Sequence, residues 1–120
     1  MNRLEQQWPD VHSRLTKLPT AQQYEVALRA ATESLHAVGL PVPADDEAAL
    51  ERKVDHLDNI AWAIQETTDA QPGAYDHAFR MARAMNSYLL ARFGDSPADA
   101  LYEALHGLGA PTDAKSALRF

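Results

Sequence analysis

Two Glu-x-x-His pairs stand in the chain, Glu33 with His36 in "ESLH" and Glu103 with His106 in "EALH". Residues three apart share one side of a helix, so each pair could offer a carboxylate and an imidazole to one ion. Two such pairs with two further inward glutamates could hold a dinuclear metal centre inside a helical bundle. Rotation by about 100° per residue argues against it, because both pairs fall well away from the apolar face of their own helices. They are expected to look outward, where they cannot share a buried ion. "DHLD" (Asp55, His56, Asp58) meets the same objection, with His56 turned roughly 100° or more from both carboxylates. Glu51, Asp55 and Asp58 together suit at most a weakly held hard cation. Asp76 in "YDH" (Tyr75 to His77) needs only the dipole of the helix it opens. There is no cysteine nucleophile, glycine-rich phosphate loop or G-x-S-x-G elbow. No catalytic residue, cofactor or metal ligand is therefore expected. A carboxylate/histidine metal-binding helical bundle, either a plain metal binder or a metal-dependent enzyme, is the alternative.

The residues with the most unusual arrangement are acids. In "ERKVDHLDNIAWAIQETTD", with the Leu50–Ile64 face set to zero, Asp58, Glu51, Asp69, Trp62, Asp55 and Glu66 fall between about 80° and 160°. Arg52, Lys53 and His56 occupy the opposite flank. The result is an acidic stripe about 27 Å long with an indole in its middle. Like charges at these spacings cost a helix roughly 1 kcal/mol over three pairs, which local preference alone would not choose. An aromatic ringed by polar groups is the pattern of an interface anchor. The plainer alternative is a stripe neutralised by Arg80 and Arg83 of the next helix, with Trp62 extending the core.

The charge balance points the same way. Residues 45–69 hold eight acids and two bases, whereas the remainder holds nine of each, so the whole net charge of −6 resides in this segment. Such a field disfavours nucleic acid and favours a cationic partner.

Five helices must position these groups, and nothing reads as a strand. Leu4, Trp8, Val11, Leu15 and Leu18 line a first helix that Pro9 interrupts or opens. Thr20 and Gln23 suggest a capping box for the second, whose apolar face is Tyr24, Ala27, Leu28, Ala31, Leu35 and Val38. The third spans about Asp45 to Asp69, with Leu50, Val54, Leu57, Ala61 and Ile64 inward, and "AQPGA" turns the chain. Tyr75, Phe79, Ala82, Met85, Leu89 and Phe93 face the core from the fourth. Ser96 and Pro97 start the fifth, through Leu101 and Leu105, and "TDAKSALRF" could add a turn or two. At 120 residues the expectation is a single domain, residues 1–120, folded as an all-α, up-and-down antiparallel bundle of four to five helices. With no signal-like or membrane-spanning run and no cysteine, a cytoplasmic location is expected, with no membrane partner.

Arg29 and His36 share a face at a spacing that resembles the Arg-x(4–6)-His signature of the helical HEPN ribonucleases. The likeness covers eight residues, and Ala30 stands where that family commonly carries a polar residue. The acidic balance opposes the RNA binding it would imply. The reading favoured by charge, size and fold class is a small binding protein that docks onto and inhibits a basic partner. Bacterial immunity proteins, which neutralise nuclease toxins, fit that physical description by analogy and share no motif with this chain. Glu51, Asp55, Asp58, Trp62, Glu66 and Asp69 are the candidate partner-binding residues. A homo-oligomer paired through an apolar seam is a third possibility.

Overall fold

The computed structural model describes residues 2–67, 69 and 71–120, and every regular element within them is helical. These are α1 (Arg3–Gln7), α2 (Pro9–Thr16), α3 (Thr20–Ala37), α4 (Glu47–Gln65), α5 (Ala74–Phe93), α6 (Pro97–Gly107) and α7 (Ala114–Leu118). The four long helices, α3 to α6, are those that the apolar spacing anticipates. The N-terminal segment divides in two and the tail adds a short turn, which raises the number to seven among the described residues.

The division follows from Pro9. Proline disfavours helical backbone at the residue before it, and Trp8 takes φ −132° and ψ 71°. Pro9 then opens α2, where its missing N–H costs nothing. Leu4, Trp8, Val11 and Leu15 still share one buried face. The Trp8 indole donates from Nε1 to the Pro111 carbonyl at 2.9 Å.

Caps set the other ends. Thr20 and Gln23 form no capping box. Pro19 holds the cap position, and Gln23 Nε2 reaches back to the Leu18 carbonyl at 2.9 Å. Asp46 caps α4 by accepting from the Ala49 amide at 2.8 Å, while Asp45 pairs with Lys53 at 3.0 Å. α4 ends at Gln65, earlier than the acidic pattern suggests. Thr67 Oγ1 donates to the Ala63 carbonyl at 2.7 Å, a side-chain bond that competes with continued helix. Thr68 in the expected helix and Ala70 in the expected turn lie outside the described residues. Gly73, at φ 83°, supplies the left-handed residue before α5. Ser96 caps α6 as its sequence indicates, accepting from the Asp99 amide at 3.2 Å.

α5 is the hub. It packs against α3, α4 and α6, and α3 also packs on α6, while α1 rests on α6 and α7 on α2. One apolar cluster joins α3, α4 and α5 around Leu35, Leu50, Val54 and Met85. A second joins the N-terminal helices to α6 and α7 around Leu4, Val11, Leu101 and Leu118. Between them lies a seam of small residues. A Cβ added at Gly107 would sit 3.1 Å from Ala84 Cα, Ala84 Cβ and Ser34 Cβ. Ser34 and Ser87 are fully buried there and donate to the Ala31 and Ala84 carbonyls at 2.8 and 2.6 Å, which removes their desolvation penalty.

This packing corrects two expected faces. Because α3 packs chiefly against both α5 and α6, its buried arc turns toward Ala30 and Ser34, leaving Leu28 39% exposed. On α5 the buried arc is Ala78, Ala82, Ala84, Met85, Ser87, Tyr88 and Ala91, so Tyr75 and Phe93 are exposed and Phe79 is half-buried. No helix among the described residues is long and apolar enough to cross a membrane.

Candidate functional site

The outer face of α4 presents most of the acids as its spacing implies. Glu51, Asp55 and Glu66 are exposed, and none has an ion-pair partner among the described residues. Trp62, beside them, is 63% exposed, the most open large apolar side chain described. Two members of the predicted set differ. Asp69 is exposed but lies in the turn beyond α4, off the helical stripe, so the stripe on the helix runs from Glu51 to the capping residue Glu66, about 22 Å. Asp58 is half-buried and bound to this chain's own Arg83, Oδ1 accepting from Nη2 at 2.6 Å. Among the described acids on the α4 helix itself, Asp58 is the one that Arg83 neutralises. Arg80 points elsewhere, donating from Nε to the Gly107 carbonyl at 3.0 Å, where the end of α6 favours a cation.

Arg83 ties α4 and α5 to α6. Its Nη1 donates to both oxygens of Glu103 at 3.1 and 3.2 Å, and Asn86 Nδ2 donates to Glu103 Oε1 at 3.0 Å. Arg3 Nη1 stands 3.9 Å from the same oxygen. Glu103 is only 3% exposed. This overturns the outward orientation expected for Glu103. α6 is covered by α1, α3 and α5 at once, so a direction far from Leu101 and Leu105 is still inside the protein. Burial works against the charged Arg83, but Glu103 and Asp58 outweigh it and hold its pKa above the ordinary arginine value. Arg83 Nε is buried with no hydrogen-bond partner among the described protein atoms.

An aromatic chain runs beside this network. Tyr75 stacks on Phe79 with ring centres 6.0 Å apart, and Phe79 meets His106 edge-on at 6.2 Å. His106 contacts Tyr102 at 4.6 Å and Trp8 at 5.4 Å. Burial lowers the His106 pKa from its ordinary value; Glu103 opposes that shift, and Arg83 and Arg3 add to it. The shift favours the neutral imidazole. Two hollows of about 230 Å³ each share Phe79 and Arg83 as a common wall. One opens between Trp62, Ala61 and Tyr75; the other lies over Tyr102, Glu103 and His106. Phe79 was expected in the core, and these hollows explain its half-exposure.

No family model, curated protein or solved structure matches the chain. What the surface can do must be argued from its own chemistry.

The metal readings find no geometry. Among the described residues no three His, Asp or Glu side chains converge on a point where an ion could sit. Glu33 instead accepts from Arg119 at 2.6 Å, and Glu103 is spent on Arg83. Residue spacing alone missed the Arg83–Glu103 pair. A signal was nevertheless present: after its first turn α6 reads "ALYEALHG" (residues 100–107), apolar or small nearly all round, and such a stretch is buried, so the one acid within it needs a cation.

Proposed function

We propose that the chain is a binding protein that docks a basic partner on the outer face of α4 and occludes it. The observation that carries this reading is Trp62, exposed on the same helix face as Glu51, Asp55 and Glu66, which have no ion-pair partner among the described residues. A monomer gains nothing by holding an indole in water, whereas an interface gains a large, stiff contact with little ordering cost. Glu51, Asp55 and Glu66 would steer and meet the partner's Arg or Lys residues. The hollow between Trp62, Ala61 and Tyr75 would receive an apolar or guanidinium side chain. Asp58, held by Arg83, would shape the rim rather than act as a free charge.

The scaffold in this reading is an up-and-down antiparallel bundle with α4 at its edge, an arrangement favoured by the short connection from α5 to α6. A partner whose cationic patch is a nucleic-acid cleft, such as a nuclease toxin, would be inhibited by such docking in the manner of an immunity protein. Cytoplasmic action accords with this but is likewise a proposal.

Capture from a source-cell lysate tests the reading when wild type is compared with Trp62→Ala and Asp55→Lys/Glu66→Lys. The expected result is a basic protein retained only by wild type. Its association should slow as salt rises, while Trp62→Ala chiefly speeds its release. Equal retention by all three proteins, or retention of nothing basic, would sink the proposal.

A further inference from the structure

A second surface of opposite charge lies where α2, α3 and the segment after α7 meet. A cavity of about 610 Å³ opens there, and its rim carries Arg14, Lys17, Arg29 and Arg119 against one acidic side chain, Glu25. Arg119 is partly neutralised by Glu33, and Arg29 Nη2 donates to the Leu118 carbonyl at 3.3 Å. Arg14 and Lys17 have no ion-pair partner among the described residues. The C-terminal dipole of α2 accounts for a cation at either of those two positions. It does not account for Arg29, in the middle of α3, or for Arg119, whose backbone takes the left-handed φ of 54° beside the cavity. Leu18, Val26 and Phe120 supply an apolar wall, and the Arg14 guanidinium stands 5.8 Å from the Phe120 ring centre.

From this convergence we infer that the cavity is a binding site for a small phosphate-bearing organic anion with an apolar or aromatic body. Four cations drawn from three separate segments repel one another, and a ligand with two or more negative charges on one head relieves several repulsions at once. Guanidinium forks match phosphate oxygens in pairs, with Lys17 as a mobile point charge. The volume falls in the range of roughly 300–1,000 Å³ that small-ligand sites occupy. The body of the ligand would lie against Phe120 and Val26. This site is independent of the α4 surface, and an acidic partner-binding face elsewhere does not predict it.

Calorimetric titration with magnesium-free ATP, inorganic tripolyphosphate and adenosine examines the assignment. ATP is expected to bind one-to-one, more tightly than tripolyphosphate, with adenosine giving no measurable heat. Arg14→Ala/Lys17→Ala is chosen because both side chains are exposed and have no ion-pair partner among the described residues, so far-UV circular dichroism should stay unchanged. That variant should weaken ATP at least tenfold, since each charge-assisted contact contributes about a factor of ten or more. Amide shifts on binding should cluster in residues 14–29 and 118–120, and the Asp55→Lys/Glu66→Lys variant should not lose the affinity. Absence of ATP binding at millimolar concentration, or equal binding by the Arg14/Lys17 variant, would overturn the site. Tripolyphosphate binding as tightly as ATP would overturn the apolar half of the assignment.

Discussion

Asp55 and Glu103 are both carboxylates on the long helices of this chain, and their surroundings could hardly differ more. Asp55 stands in water with no counter-ion among the described residues, whereas Glu103 is sealed between helices and bound to Arg83 and Asn86. A charge left in water costs the fold little and remains available to a visitor. A charge taken inside must be fully partnered, and it then serves to fix how helices meet. Asp58 stands between the two, on the α4 surface yet drawn to the Arg83 anchor.

Breaking the inner network should give the largest effect. Glu103→Ala leaves Arg83 half-buried and under-paired, and it should lower stability by about 3 kcal/mol in urea unfolding. The double change Arg83→Met/Glu103→Leu should recover much of that loss, because an apolar pair of similar size often replaces a buried ion pair without penalty. Gly107→Ala probes the seam beside the network. Its new methyl would meet Ala84 backbone and Ser34 at 3.1 Å, and overpacking costs about 1–3 kcal/mol, offset by up to about 1 kcal/mol of helix propensity. A net loss is expected in thermal unfolding.

A gentler perturbation comes from protons. The folded-state pKa of His106 is lowered from 6.5, so below that value the unfolded chain takes up the proton more readily than the folded one. The stability tied to neutral His106 is present above the unfolded value and is lost as pH falls through the folded one. His106→Gln should flatten that part of the stability–pH curve measured by denaturant titration. The smallest effects belong to the outer face. Asp58→Ala should cost about 1 kcal/mol, and Asp55→Ala should stay within about 0.5 kcal/mol of wild type. Equal losses at the two positions would erase the contrast between a tethered and a free carboxylate.

Much of this was legible in the residues, for reasons that also mark where reading stops. Apolar spacing located α3 to α6, Ser96 announced its own cap, and the Trp62 rotation correctly placed the indole away from the Leu50 face. The small-residue seam left no such trace, because Ala, Ser and Gly carry little hydrophobic contrast. Nor did rotation about one helix reveal that α6 is enclosed on several sides, which is why Glu103 was assigned to the surface. The basic cavity escaped for a different reason: its cations come from residues 14–17, residue 29 and residue 119, which only tertiary packing unites.

The contrasting settings of the chain's two tryptophans have a practical consequence. Trp8 is buried with its indole N–H engaged, and Trp62 is open to water, so their fluorescence should differ in colour and in access to a quencher such as acrylamide. A partner covering α4 would shield the red-shifted, quenchable component and leave the blue one unchanged, whereas unfolding would merge them. The molecule thus carries an intrinsic optical reporter that separates occupancy of its outer face from loss of its core.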